Sequence, residues 1–219
     1  MKKNLLALFC YFSIFCFSQE YHFDYKCYDS ETQLEGAYKG NKRTNIIYFN
    51  SENKDVMAYD YFFSQQPTRS FWLYDFKTNN FLSYLISHDS KFSSLNFIQK
   101  IPIKIYPDEK KIERIDVEKL KENVYLISTY PSEKSKKSNL ELKIIIEKSN
   151  FSMPRIRFVD LTPNIHSKIY DALLSRLDSP KYRLVDVIID NKKGVIMHDD
   201  LSKCEKINLK FLAEQIPNK

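Results

Sequence analysis

Residues 44–63 read TNIIYFNSENKDVMAYDYFF. Two apolar and aromatic runs, residues 44–49 and 56–63, flank a polar connector at residues 50–54. Aromatic and β-branched side chains favour a pleated strand, whereas Asn and Ser favour turns. The stretch therefore predicts a β-hairpin, and it sets the pattern that the rest of the chain repeats.

A second predicted hairpin follows the first. Residues 70–76 and 81–87 have the same aromatic character, and the residues between them, 77–80, contain two Asn that suit a tight turn. We predict a first strand at residues 21–28 and a loop at the polar residues 31–41. Further strands or extended segments are expected at residues 103–105, 124–130, 140–148, 151–160, 182–189, 195–198 and 204–212.

The chain contains one strong helix signal. Thr162 suits an N-cap, Pro163 suits the first helical position, and Pro180 ends the pattern. Apolar residues recur every four positions between them, at Ile165, Ile169, Leu173 and Leu177. Residues 116–120 fit a single helical turn. The predicted fold is α+β and mostly antiparallel β: a curved meander sheet or half-barrel with one long helix packed on it, in a single domain at residues 19–219.

The first eighteen residues, 1–18, predict a signal peptide. Lys2 and Lys3 precede an apolar run at residues 5–17, which is too short to span a bilayer comfortably. We expect cleavage before Gln19, export to the periplasm or the extracellular space, and no stable transmembrane segment afterwards. A lipid anchor and an uncleaved membrane helix are the alternatives.

The charge balance predicts no nucleic-acid partner. The chain has 34 Lys and Arg against 28 Asp and Glu, a net charge of +6. Lys2 and Lys3 leave with the signal peptide, so the mature chain carries 32 minus 28, or +4. These charges are spread along the chain, whereas nucleic-acid-binding proteins usually concentrate them on one face.

Two cysteines remain after the signal peptide, Cys27 and Cys204. Cysteines in an exported protein are often paired, so we predict a disulfide that joins the first and last strands. Two separate thiols are the alternative. Neither cysteine lies in a CxxC or CxxH spacing, and the chain lacks a glycine-rich phosphate loop, so we expect no metal and no cofactor.

Motifs for catalysis are absent from the sequence. There is no GxSxG and no HExxH, so we assign no catalytic residue and do not expect an enzyme. The candidates for acid/base chemistry are His198, Asp199 and Asp200. The same three residues could supply metal ligands together with His22, if the first and last strands pair. Adjacent strand residues point to opposite faces, which favours an ordinary polar turn.

Aromatic residues concentrate before residue 100, and two neighbouring predicted strands carry them at alternate positions. If the two faces coincide, the residues form an aromatic wall that lines a cleft for an apolar small molecule or lipid, or a platform for sugar rings. Core packing across the strands is the alternative. The candidate ligand-binding residues of this wall are Tyr59, Tyr61, Phe63, Trp72, Tyr74 and Phe76.

The mature chain resembles the uncharacterised exported β-rich proteins of Gram-negative bacteria, partly through its signal end, Cys16-Phe17-Ser18-Gln19. Its successive hairpins with a late helix are also similar in strand plan to the half-barrel of periplasmic lipoprotein carriers. That resemblance implies an apolar groove covered by the helix at residues 163–177, and it transfers no functional residue.

Three functional hypotheses follow from the sequence. The first is an exported noncatalytic module that binds an apolar ligand or an envelope partner at the aromatic wall. The second is a structural or interaction protein of the cell envelope that has no ligand. The third is an exported hydrolase that uses His198, Asp199 and Asp200.

Overall fold

The computed structural model describes residues 19–61, 68–87, 95–103, 110–155 and 161–213. The predicted signal peptide and Phe63 lie outside these residues. Within them, every pair of neighbouring strands is antiparallel, and a single helix packs on the sheet. The predicted fold class, a curved meander sheet with one helix, is therefore confirmed.

The described residues form twelve strands and one helix, α1 (Pro163–Leu174). The strands are β1 (Gln19–Glu35), β2 (Lys42–Phe49), β3 (Val56–Tyr61), β4 (Thr68–Asp75), β5 (Asn80–Ser87), β6 (Asn96–Pro102), β7 (Arg114–Lys121), β8 (Val124–Tyr130), β9 (Leu140–Lys148), β10 (Tyr182–Asp190), β11 (Ile196–Asp200) and β12 (Cys204–Ala213). Their order in the sheet is β6-β5-β4-β3-β2-β1-β11-β10-β9-β8-β7, and β12 lies beside β1.

The long strand β1 joins the two halves of the sheet. One edge of β1 pairs with β2, while the other edge pairs first with β12 and then with β11. The register with β12 shifts between Phe23 and Tyr25, which is the signature of a β-bulge. The inward residues of β1 change cores at this point: Phe23 packs in one hydrophobic core and Tyr25 packs against another.

Both faces of β3, in the middle of the first half of the sheet, are buried. All six residues of β3 are buried, and because strand side chains alternate, each face of β3 must be covered. The main core lies between this half of the sheet, strands β8–β10 and α1, and includes Ile47, Tyr59, Ile127, Leu142, Val187 and Ile169. The second core lies on the opposite face, beside β12, and includes Phe23, Tyr48, Ala58, Phe71 and Tyr84.

Helix α1 begins where the sequence predicts. The Thr162 side chain accepts a hydrogen bond from the Ile165 backbone N–H, and Pro163 occupies the first turn. Ile165, Ile169 and Leu173 are each at most 2% exposed and pack in the main core. Each such side chain contributes roughly 1.5–3 kcal/mol through burial. The helix ends at Leu174, three residues earlier than predicted, and the chain continues as a turn.

Two local predictions are wrong, each because of a long-range contact, and one strand was not predicted. The predicted loop at residues 31–41 begins as strand, since β1 continues to Glu35 and pairs with both β2 and β11. Residues 116–120 are not helical but belong to β7, whose Ile115 and Val117 pack against the main core. Strand β6 is not predicted by the sequence at all.

The predicted extended segments at residues 103–105 and 151–160 are described only in part. Ile103 follows β6 and is buried in the main core, while residues 104–105 lie outside the described residues. Residues 151–155 belong to no strand, and 156–160 are outside the described residues. Among the described strands, β6 forms one edge of the sheet and β7 the other.

Candidate functional site

The two aromatic stripes lie on the same face of the sheet. Tyr59 on β3 is directly opposite Trp72 on β4, and the ring centroids of Tyr61 and Trp72 are 4.4 Å apart. The ring of Tyr59 stacks on that of Tyr61 at 5.6 Å, and the ring of Tyr74 on that of Phe76 at 6.1 Å. Five of the six predicted wall residues therefore form a continuous aromatic row, and the sixth, Phe63, lies outside the described residues.

Most of the aromatic row is part of the main core. Tyr59, Tyr61 and Tyr74 are 0%, 2% and 2% exposed. Rings buried to this extent present no flat platform on which sugar rings could stack. Trp72 and Phe76 are only partly buried and pack against the same core. The part of the aromatic row that a ligand can reach is therefore restricted to these two residues.

Phe76 lies at the end of the row and lines a cleft of about 780 Å³. We call this space the helix–sheet cleft, because α1 forms one wall and the turns that precede β3 and β5 contribute to the other. Ile103 adds an apolar surface that is itself 3% exposed. The lining residues are Asp55, Phe76, Asn79, Ile103, Arg155, Asn164, Ser167 and Lys168.

Arg155 connects the helix to the sheet at this cleft. Its guanidinium lies 4.8 Å from the ring centroid of Tyr170 on α1 and 5.7 Å from that of Phe76. It also forms ion pairs with Asp55 at 3.2 Å and Asp171 at 3.5 Å. These contacts hold α1 against the end of the aromatic row and set the shape of the cleft opening.

Tyr170 completes this support. Its hydroxyl donates a 2.6 Å hydrogen bond to the backbone carbonyl of Met153, and burial raises the pKa of Tyr170 to about 12. The hydroxyl therefore remains a neutral donor at physiological pH. Neither Arg155 nor Tyr170 was predicted as a site residue. The spacing of Tyr170 five residues after Ile165 is consistent with a flank of the buried helix face, but no local pattern indicates Arg155.

The predicted histidine–carboxylate cluster does not assemble. Asp199 is 3% exposed on the inner face, whereas His198 and Asp200 lie on the opposite face of β11. The His198 imidazole instead contacts the carboxylate of Asp186 on β10 at 2.6 Å. His22 is separated from Thr32, the β1 partner of His198, by ten residues, which corresponds to about 33 Å along a strand.

Asp200 has a structural role at the end of β11. Its carboxylate accepts a 2.9 Å hydrogen bond from the Ser202 backbone N–H. Hydrogen bonds from Ser202 lower the pKa of Asp200, and the charge of nearby His198 contributes in the same direction. Asp200 therefore terminates the strand as the predicted polar turn requires. Among the described residues, no group of three or more His, Cys, Asp or Glu is arranged to hold a metal ion.

The predicted disulfide between Cys27 and Cys204 is confirmed. The two residues are direct partners in the pairing of β1 with β12, and their Cα atoms are 4.1 Å apart. The bond lies at the edge of the main core, where Cys27 is 3% exposed. It therefore fastens β12 to the strand that joins both halves of the sheet.

No protein-family model matches this chain, and no curated protein is significantly similar to it in sequence. In the part of the chain that the structure describes, no helix has both the length and the hydrophobicity that crossing a membrane requires.

Proposed function

We propose that this protein is an exported, noncatalytic binding module that holds an apolar or amphipathic small molecule in the helix–sheet cleft. The observation that carries the proposal is the position of Phe76, where the aromatic row of the main core reaches an open cleft. The apolar part of the ligand would rest on Phe76. Export is supported by the signal-like composition of residues 1–18 and by the disulfide.

The chemistry of the cleft suits an amphipathic molecule better than a purely polar one. Its floor is apolar, while Asn164, Ser167 and Lys168 place polar groups along the α1 side. A volume of about 780 Å³ lies within the range of roughly 300–1,000 Å³ that is typical of small-molecule sites. Such sites combine an apolar surface with a few polar groups that orient the ligand.

The structure also changes which substitution tests the hypothesis. Replacing Trp72 and Tyr74 together would remove a core side chain, since Tyr74 is 2% exposed, and large-to-small core substitutions destabilise by about 3–5 kcal/mol. Phe76→Ser removes the accessible ring instead. Phe97→Ser is a matched control, because Phe97 is also a partly buried phenylalanine but packs against the second core.

The test is native mass spectrometry of protein purified from an exporting bacterial host, with solvent extraction of any copurifying molecule. We expect an apolar adduct on the wild-type chain and on Phe97→Ser, and a loss of at least about tenfold in occupancy for Phe76→Ser, or about 1.4 kcal/mol. The same spectra report whether the chain begins at Gln19, as the predicted cleavage requires.

A purified chain without adduct would be incubated with N-phenyl-1-naphthylamine, an apolar fluorescent probe. Fluorescence enhancement that depends on Phe76 and not on Phe97 supports the proposal. Absence of both an adduct and a Phe76-dependent signal contradicts it, and would favour a protein of the cell envelope that acts through a protein partner.

A further inference from the structure

A second cleft lies at the end of β1 that pairs with both β2 and β11. The loop between β1 and β2 forms one wall, the loop between β10 and β11 forms another, and the volume is about 770 Å³. We call it the basic cleft. Its lining residues are Glu31, Gln33, Ala37, Tyr38, Asn41, Lys42, Arg43, Lys110, Leu161, Ile189, Asn191, Lys193, Val195 and Met197.

The charged side chains that line the basic cleft are four cations and one acid. The acid, Glu31, is 4% exposed and forms an ion pair with Arg43, including a 2.6 Å contact between Arg43 Nη2 and Glu31 Oε2. Its charge is therefore largely neutralised within the protein. The remaining cations give the cleft a positive potential toward solvent.

Two of these cations are available to a ligand. Lys42 and Lys193 are exposed, and within the described part of the chain neither has a carboxylate at ion-pair distance. Lys110 has a different role: its Nζ donates to the backbone carbonyls of Asn139 at 2.7 Å and Asn191 at 2.6 Å. Lys110 therefore fixes the loop that presents Lys193.

The two loops are held in place before any ligand arrives. Gly40 N–H donates to the carbonyl of Gln33 at 2.8 Å, and the Asn191 side-chain oxygen accepts from the N–H groups of Lys193 and Val195. Gly36 has a φ of +108°, and a Cβ there would lie 3.2 Å from the Gly194 carbonyl oxygen. The loops thus approach each other closely enough to form a preorganised cleft.

Tyr38 adds an aromatic surface at the rim. Its side chain is 69% exposed, whereas most of the other tyrosines that the structure describes are buried in the cores. An exposed aromatic ring between lysine and asparagine side chains can stack on a sugar ring while the ammonium groups bind its acidic substituents. The walls otherwise combine polar groups with small apolar surfaces, as small-molecule sites do.

We propose that the basic cleft binds an acidic oligosaccharide, with Lys42 and Lys193 on its anionic groups and Tyr38 against a sugar ring. An acidic peptide would use the same two lysines but gains little from an exposed ring at one end of the cleft. The basic cleft shares no lining residue with the helix–sheet cleft, so this proposal is tested independently of the function proposed above.

Calorimetric titration with tetrasaccharides of carboxylated and of sulfated sugars tests the proposal. We expect binding of at least one of them to the wild-type chain, weakened by about tenfold or more in Lys42→Gln/Lys193→Gln, and weaker at about 0.2 M salt than at about 0.02 M. Tyr38→Ala should also weaken binding. The control Lys119→Gln/Lys121→Gln removes the same charge from exposed positions on β7 and should bind as the wild type does.

Two further probes separate the saccharide from other anions. The methyl ester of the carboxylated tetrasaccharide keeps the sugar and removes the charge, and a tetraglutamate peptide keeps the charge and removes the sugar. We expect both to bind less tightly than the acidic saccharide. The proposal is overturned if neither acidic saccharide binds, if the Lys119 and Lys121 control weakens binding equally, or if tetraglutamate binds as tightly and Tyr38→Ala has no effect.

Discussion

Asp29 is a carboxylate that β1 buries on the inner face of the sheet. It is 3% exposed, its Oδ2 accepts a 3.3 Å hydrogen bond from Asn45, and its Oδ1 has no hydrogen-bond partner. Burial raises the pKa of Asp29 to about 6, against the opposing effects of the Asn45 hydrogen bond and the Arg43 charge. Asp29→Asn keeps the shape of the side chain and removes the charge.

The raised pKa means that the native chain binds this proton more tightly than the unfolded chain does. The ionised carboxylate therefore lowers stability: its effect is absent below about pH 4, develops between about pH 4 and 6, and is complete above that range. A pKa of about 6 against the ordinary 3.8 corresponds to about 3 kcal/mol, at roughly 1.4 kcal/mol per pH unit. The unfolding free energy of Asp29→Asn, measured relative to that of the wild type, should therefore increase by this amount as the pH rises.

Urea unfolding followed by fluorescence of Trp72, the single tryptophan, measures the effect. The difference in unfolding free energy between variant and wild type should increase by about 3 kcal/mol from about pH 4 to about pH 7.5. An unpaired amide N–H lowers the unfolding free energy of the variant by roughly 1–3 kcal/mol at every pH. This constant offset does not affect how the difference between variant and wild type changes with pH. Glu118→Gln, an exposed isosteric change on β7, is the control. A difference that is flat with pH, or that falls as pH rises, refutes the reasoning.

Two predictions concern the connections of β1. Replacing Cys27 and Cys204 together by serine should lower the unfolding free energy by about 5 kcal/mol in the chain-entropy model, because the bond closes a loop across 177 positions; an unchanged urea midpoint would contradict this. Gly36→Ala should destabilise by more than Gly40→Ala. Both glycines have positive φ, a conformation that destabilises an alanine by roughly 1–2 kcal/mol. Only at Gly36 would the new Cβ also contact other atoms, since it would lie 2.6 Å from the side-chain nitrogen of Gln33. Equal losses in thermal unfolding would show that this contact has no energetic consequence.

The strands that follow local rules were predictable. Residues 44–49 and 56–63 were identified by their aromatic alternation and by the polar residues between them. The predicted second hairpin also forms, and Asn79 in its turn has the left-handed φ of 58° that favours asparagine there. Helix α1 was predicted from its cap and its four-residue apolar spacing. Each of these signals depends only on neighbours in the chain.

The candidate sites were less predictable because they depend on what covers a surface. The sequence left open whether Tyr59 and Trp72 share a face, and whether the aromatic residues form a ligand site or core; the fold places both on one face and buries most of the aromatic row. Glu31 was assigned to a loop because residues 31–41 are polar and hold two of the glycines; in the fold it lies on β1, and Arg43 on the neighbouring strand supplies the opposite charge. The basic cleft combines segments far apart in sequence, so no local pattern could indicate it.

By itself, the sequence determined the antiparallel β-rich class, the helix and its cap, the turns of the first two hairpins, and the pairing of Cys27 with Cys204. Only the tertiary structure decided that β1 joins both halves of the sheet, that β3 is buried on both faces, and that Phe76 rather than Tyr59 reaches a cleft. The physical reason is that alternation and turn propensity act over a few residues. Strand order, burial and the neutralisation of buried charge arise from contacts between residues that the chain separates widely.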